Sequence, residues 1–451
     1  MNSSLLIRIK EELKSKFDLI ANDRLKINIL NALPYWVSAL ICGSVAVLYA
    51  RLFSLAEKGT HYIYQHANWV FFILTPACFV VALWVVSKFS PFSKGSGIPQ
   101  VTAAIELSNP KHYIKVDKLL SWRVICVKIT SSLIMVFGGG VVGREGPTIQ
   151  ISASIFKKIN DLLPPWYPKI SKRNMIVTGA AAGLAAAFNT PLGGIVFAIE
   201  ELTKTHFSFF KSALLTGVII AGLTALHFQG PYLYIGYPPL DGITAWIIIA
   251  IIPVAIITGL AGSGVGNSIV YILNRKKTLK KNAQKIIYAA IGGLVIAALA
   301  YFIDDHVFGS GKEIMVNALF TNEKHLEWYV PILRMAGQVI SFTAGSAGGI
   351  FGPSLSAGAS IGAVVAGWFH LSYAETNLLI LCGMTGFLTS ITKSPFTSTI
   401  LVLEMTNSHN VIFYILLAAL FSNIFGNAVS RHSIYDHLKV ECLHDIQKAE
   451  A

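Results

Sequence analysis

The sequence predicts an all-α polytopic membrane protein, and three observations carry that prediction: its composition, its short Gly/Pro-interrupted apolar segments, and a repeat at half its length. Of 451 residues, 54% are hydrophobic and only 13% charged, whereas soluble domains carry about 25% charged residues. Mean hydropathy is +0.60. The formal charge of +13 would suggest a nucleic-acid partner in a soluble chain. Here the Lys and Arg residues gather between apolar runs, where positive charge marks the cytoplasmic side, and no nucleic acid is expected.

Residues 1–30 place Leu6, Ile9, Leu13, Phe17 and Ile20 at helical spacing with lysines between them. This predicts an amphipathic helix on the cytoplasmic face of the membrane. Spans are expected at 33–56 and 67–89, joined by an outer loop. A short stretch from Gly95 to Leu107 follows, then a span at 120–142 that contains Lys128, and a short segment at 145–156. A bilayer takes about 20 residues, so the short pieces read as partial helices. The basic loop 157–173 is placed in the cytoplasm, as is 275–285. Residues 174–188 are rich in Ala and Gly, which lets helices approach closely. Pro191 restarts a short helix ending at Glu200 and Glu201. After a span at 207–228, residues 229–241 form the midpoint linker. Spans or short helices follow at 243–273, 286–303, 329–345, 376–391, 395–404 and 411–430. The expected organisation is a cytoplasmic helix (1–30), two membrane halves (31–230 and 231–430) and a C-terminal cytoplasmic helix or tail (431–451).

Shifted by 206 residues, Gly143, Gly146 and Pro147 fall on Gly349, Gly352 and Pro353; shifted by 204, Gly179, Pro191 and Glu200 fall on Gly383, Pro395 and Glu404. Two blocks in the same order at nearly one offset make the chain two related halves. Interrupted short segments at matching positions of two halves point to a transport site near the membrane midplane.

The stretch Gly138–Ile149 holds the costliest residue, Glu145, between Arg144 and Gly146. An ionisable group at membrane depth is a functional-site candidate. Pro147 suits a first helical turn, and a carboxylate there faces the positive end of the helix dipole. Three such starts, Gly95–Pro99, Gly143–Pro147 and Gly349–Pro353, each offer N–H groups without intrahelical acceptors. Together they make an anion site without a fixed cation, which binds weakly enough to release its ion.

These motifs, GSGIP, GREGP and GIFGP, resemble the selectivity-filter motifs of the CLC chloride channels and transporters. The likeness extends to Lys128, Pro191–Glu201, Leu401–Thr406 and Tyr435. It implies a CLC-like fold of two inverted-repeat halves with many tilted and partial helices. It also implies site residues. Gly95, Ser96, Gly97, Ile98, Pro99, Gly143, Arg144, Glu145, Gly146, Pro147, Gly349, Ile350, Phe351, Gly352 and Pro353 would form the filter. Ser96, Tyr435 and the N–H groups of Ile350 and Phe351 would bind chloride. Glu145 would be the external gating and proton glutamate, and Glu201 the internal proton-transfer glutamate. Nitrate-preferring members carry proline at the position of Ser96 and fluoride exporters lack that serine, so Ser96 favours chloride. Passive channels of the family typically lack the carboxylate of Glu201, so its presence favours electrogenic H+/Cl− antiport over a passive voltage- or pH-gated chloride channel. Gln100 departs from the acid many bacterial relatives carry. A homodimer in a bacterial inner membrane, with a cytoplasmic N-terminus and no paired regulatory domains after Tyr435, completes the expectation.

Other readings find less support. No nucleophile–base pair or metal set occurs at membrane depth, so neither an enzyme nor a cofactor or metal is expected. Cys42, Cys78, Cys126 and Cys382 lie in apolar runs and read as buried thiols. Gly309–Lys312 resembles part of a phosphate loop but lacks its first glycine. Glu404 reads as structural; Glu200 and Glu201 each have an alternative reading as caps of a helix at the cytoplasmic interface; Lys128 should have a charge partner in the protein interior.

Overall fold

The computed structural model describes residues 23–203, 211–230, 233–321, 324 and 326–448. Among these the protein is all-α, and extended backbone pairs only at two isolated bridges, Gly95 with Ala347 and Gly143 with Gly349. Helical segments long and apolar enough to cross a membrane number 7 among the described residues, the first running from Lys26 to Phe89. The protein is thus a multi-pass membrane protein.

The first half contains α1 (Asp23–Ala67), α2 (Phe71–Phe89), α3 (Ile98–Glu106), α4 (Tyr113–Leu119), α5 (Trp122–Phe137), α6 (Glu145–Asp161), α7 (Lys172–Phe188), α8 (Pro191–Phe197) and α9 (Lys211–Gln229). The second repeats the order with α10 (Ile247–Lys276), α11 (Asn282–Phe302), α12 (Lys312–Phe320), α13 (Val330–Thr343), α14 (Phe351–Trp368), α15 (Tyr373–Thr392), α16 (Pro395–Thr406) and α17 (Ile412–Val429), followed by α18 (Ile434–Lys448). Packing repeats too: α6 lies on α7 as α14 lies on α15, and α1 on α9 as α10 on α17. Helices α7, α14 and α15 are buried almost all round, as an apolar helix without a polar face must be.

Three reciprocal contacts show how the halves are related. Gly143 N–H donates to Gly349 O at 2.8 Å, and Gly349 N–H returns a bond to Gly143 O at 2.7 Å. Each residue is the other's repeat mate, and such an antiparallel exchange has local two-fold symmetry. Glu200 accepts from the N–H groups of Phe396 and Thr397 at the start of α16. Glu404 accepts from Leu192 and Gly193 at the start of α8. Each carboxylate therefore caps the opposite half's helix and meets its dipole. Finally, Lys128 and its mate Arg334, neither with exposed surface, hold equivalent turns. Lys128 Nζ donates to Gly95 O at 2.9 Å. Arg334 donates to the carbonyls of His306, Val307, Phe308 and Gly309 and to Ser356 Oγ. The interior partner expected for Lys128 is thus a carbonyl, not a carboxylate.

Several local expectations need correction. The outer loop between the first two spans is helical, because α1 runs unbroken for 45 residues, about 65–70 Å at 1.5 Å per residue. Glu57 and Thr60 anchor this extension, Thr60 Oγ donating to Val136 O and Phe137 O and Glu57 accepting from Ser310. Pro34 lies inside α1 and cannot donate to the carbonyl of Leu30; the Tyr167 hydroxyl does so instead, at 2.6 Å. Lys157 and Lys158 belong to the last turns of α6 rather than a loop, and Lys157 is buried between Asp117 and Asp161. The expected end at 142 falls earlier, since α5 stops at Phe137 before three glycines. Cys126 is exposed on α5, while Cys42, Cys78, Cys382 and Cys442 are buried. Of the amphipathic helix expected over 1–30, residues 1–22 lie outside the described residues and 23–30 form the first turns of α1.

Arg334→Met leaves four carbonyls without their donor, whereas Lys128→Met frees one. Unmade buried bonds cost about 1–3 kcal/mol each. Denaturant unfolding in detergent should therefore show the larger loss, on the order of 3 kcal/mol or more, for Arg334→Met. Equal losses would show that the acceptor count does not set the cost.

Candidate functional site

The site lies where α3, α6, α14 and α18 begin. Gly97 caps α3 with φ +104, a conformation that costs glycine nothing, so the chain turns sharply into the helix just after Ser96. Ser96 then presses on the start of α6: a Cβ added to Gly146 would collide with Ser96 Oγ. Gln100 Nε2 donates to Lys94 O at 2.9 Å and fixes the turn from within. Lys128 holds it from α5, while Ser131 on the same helix receives the N–H of Ala347.

Glu145 is the first residue of α6 and Phe351 the first of α14, as their repeat positions require. Glu145 has no exposed surface. Its carboxylate folds back into the seam between the halves, so that Cβ atoms on Gly143 or Gly352 would meet Oε2. The N–H groups of Glu145 itself and Gly352 are turned toward it, but Oε2 makes no hydrogen bond within ordinary limits. Tyr234 donates its hydroxyl to Oε1 at 3.1 Å. The carboxylate thus occupies the kind of place an anion takes at helix N-termini.

Ser96 and Tyr435 face each other, both about 1% exposed, and apart from each other neither hydroxyl has a hydrogen-bond partner. Buried polar groups are normally paired, so two adjacent hydroxyls without acceptors suit an anion between them. Phe351 packs its ring 6.2 Å from that of Tyr435, stacks on Phe188 and meets Phe197 edge-on, both at 6.4 Å. The N–H groups of Ile350 and Phe351 open α14, where no intrahelical acceptor exists.

Glu201 is buried in a π-helical turn, Ala198–Thr203, that continues α8. It accepts from Ser394 Oγ at 2.9 Å. Such turns recur at functional positions, and this one brings both neighbours to the start of α16: Glu200 accepts from Phe396 and Thr397, while Glu201 accepts from the N-cap residue Ser394. A cavity of about 70 Å³ reaches Ser96 from the protein surface, lined by Lys94, Gln100, Leu273, Phe342 and Glu441 among others. Lys94 pairs there with Asp445 at 3.0 Å. Burial works against its ammonium, but Asp445 and Glu441 outweigh burial and raise it above the usual lysine range.

The three motifs named from the sequence open α3, α6 and α14, whose starts meet here, while Glu201 lies on the continuation of α8. Two features escaped sequence reasoning. Tyr234 lies in the stretch taken as a linker, where no repeat marks it. Gly309–Ser310–Gly311 is no phosphate loop but the mate of Gly95–Ser96–Gly97: Gly311 caps α12 with φ +81, and a shift of 214 residues superposes the two triplets. Here, however, Glu57 accepts from both the N–H and the hydroxyl of Ser310.

Fold and site together define a polytopic membrane protein whose broken helices gather their N-termini around a buried carboxylate. The profile described as "Voltage gated chloride channel" matches residues 77–427, and the chain belongs to that family, the CLC proteins. It is 29% identical over 400 residues to a protein of Salmonella typhimurium named H(+)/Cl(-) exchange transporter ClcA, covering 84% of this chain and 80% of that one. The counterpart of the same name in Citrobacter koseri is 28% identical over 391 residues, 82% of this chain and 78% of that one. Among solved structures, a slow cyanobacterial Cl−/H+ antiporter superposes with a TM-score of 0.80 at 24% identity, covering 92% of this chain and 98% of that one. A CLC-type fluoride/proton antiporter superposes with a TM-score of 0.75 at 20% identity, covering 92% and 99%. These two likenesses establish the CLC fold.

A hydrogen bond to a charged partner is worth about 1.5–3 kcal/mol. Ser96→Ala should therefore weaken chloride binding about 10- to 100-fold in detergent calorimetry. Unchanged affinity would remove Ser96 from the anion's coordination.

Proposed function

We propose that the protein is a secondary active transporter exchanging chloride for protons. The observation that carries the reading is the Glu145 carboxylate, lodged between two helix N-termini beside the Ser96 and Tyr435 hydroxyls. Chloride and this carboxylate compete for neighbouring places. Charged, Glu145 sits at the helix starts and excludes the ion; protonated, it loses its attraction to them and yields to chloride. Proton uptake and chloride entry are thereby linked. Ser96, Tyr435 and the N–H groups of Ile350 and Phe351 coordinate the ion, and Glu201 takes up the proton from the other side. The names of the curated relatives support this assignment, and Glu201 argues against the passive channel of the same fold.

Chloride moving one way and protons the other carry charge in the same sense, so exchange is electrogenic. Each charge feels about 2.3 kcal/mol per 100 mV. The cavity at Ser96 opens toward the basic end of α10, where Lys276 caps α13 through Thr343 O and Ala344 O. Positive charge on that side makes it cytoplasmic, in a bacterial inner membrane. We further assign the halves to 31–230 and 231–430, and a homodimer with one pathway per subunit, which leaves exposed apolar faces to lipid or the second copy.

In reconstituted liposomes, an imposed pH gradient should shift the chloride reversal potential; an unmoved potential excludes antiport and leaves the channel. Glu201→Gln should keep chloride flux while proton movement falls to background, and retained pumping would take Glu201 off the pathway. Glu145→Gln should make chloride flux insensitive to pH, and a preserved response would count against its gating role.

A further inference from the structure

Tyr234 comes from the stretch joining the halves, yet its side chain is 3% exposed and reaches the gate. Its hydroxyl donates to Glu145 Oε1 at 3.1 Å. Its ring is held on several sides. Phe188 packs edge-on at 4.9 Å, the Lys312 ammonium stands 4.5 Å from the ring centroid, and the Arg144 guanidinium stands 5.8 Å from it. Cations at such distances are attracted to an aromatic face. Lys312 opens α12 and Arg144 precedes Glu145 on α6, so both halves grip one ring. The backbone is pinned as well: the next residue, Ile235, donates its N–H to Met405 O at the end of α16. A phenol with so little freedom presents its O–H in one direction, toward the carboxylate.

We propose that Tyr234 is a positioning residue for the gate, a latch whose phenol holds the Glu145 carboxylate in the seam between the helix N-termini. This rests on the reading of Glu145 as the gate. The hydroxyl donates to an ionised carboxylate and loses that stabilisation when the carboxylate is protonated and leaves. The latch therefore favours the closed, charged arrangement and sets how acidic the medium must be before chloride moves. Other charged or titratable groups that act on Glu145 are Arg144 on α6, Tyr49 on α1, Lys312 on α12 and Tyr435 on α18. Glu57 on α1 acts on Tyr234 from the outer side. Arg144 acts on the carboxylate electrostatically; the hydroxyl of Tyr49 bonds Ser132 and the Lys312 ammonium lies over the Tyr234 ring, so that Tyr234 is the hydroxyl that bonds the carboxylate.

The test is the pH dependence of chloride turnover in liposomes of the full-length protein. Tyr234→Phe keeps the ring, its packing and both cation contacts and removes only the hydroxyl. The midpoint of acid activation should rise by about one pH unit, the equivalent of one hydrogen bond to a charged group. Tyr237→Phe, on an exposed ring of the same stretch, should leave the wild-type midpoint. In Tyr234→Phe/Glu145→Gln the flux should match Glu145→Gln alone. A Tyr234→Phe midpoint equal to wild type, or displaced to lower pH, overturns the latch. That failure is separable from failure of the gate, because a pH response that survives in Glu145→Gln would overturn the gate itself. Should Tyr234→Phe be poorly folded, Tyr234→Met, which also removes the hydroxyl without adding a titrating group, must show the same rise in midpoint; a wild-type midpoint in it overturns the proposal.

Discussion

The pair of hydrogen bonds between Gly143 and Gly349 is the constraint on which the rest of the site depends. It joins a residue to its own repeat mate and so brings the starts of α6 and α14 into one place. Two helix N-termini cannot be this close with bulky side chains between them: a Cβ on Gly349 would lie 3.0 Å from Gly143 O and 3.1 Å from Gly146 N. Glycine at these positions is therefore a matter of distance. Once the two starts meet, their free N–H groups share one small volume, and whatever is anionic there is attracted by both.

Broken helices create a second problem inside a membrane, because every interruption frees backbone groups that water cannot satisfy. The protein answers with buried charge of each sign. Freed carbonyls take cations, as Lys128 does at Gly95 and Arg334 at His306–Gly309. Freed N–H groups take carboxylates, as Glu200 does at α16 and Glu404 at α8. Reading these four as structural narrows the chemistry. Glu145, whose Oε1 accepts from Tyr234, is not spent on such a cap.

Much of this was legible in the sequence because it depends on glycine and proline, whose positions mark breaks directly. GSGIP, GREGP and GIFGP each open a helix where the motif placed it, and the offset of 206 residues pairs Glu145 with Phe351 as it pairs Gly143 with Gly349. What the sequence hid depends on long-range partners. Lys128 and Arg334 share the same offset, but only the structure shows that both bind turns. Glu200 read as a helix cap on one of its readings, but the helix it caps starts nearly two hundred residues away. The loop expected after residue 56 is helix because Glu57 and Thr60 have partners in the turn before α12 and on α5, which no local pattern reveals. Tyr234 belongs to no repeat at all.

The last of these points bears on why a symmetric scaffold can serve an asymmetric task. Each half supplies a Gly-Ser-Gly turn, a buried cation on a later helix and a helix start in the seam. The halves then diverge at two places. Ser310 is satisfied by Glu57, while its mate Ser96 keeps a free hydroxyl beside Tyr435. Phe351 is apolar, while its mate Glu145 can titrate. An anion drawn to the seam therefore finds donors to spare on one side only, and a carboxylate competitor on the other. A perfectly symmetric seam would offer the ion the same environment from both mouths and would give a proton nothing to act on. On the proposed exchange of chloride for protons, it is the departures from the repeat, rather than the repeat itself, that would let ion binding depend on protonation.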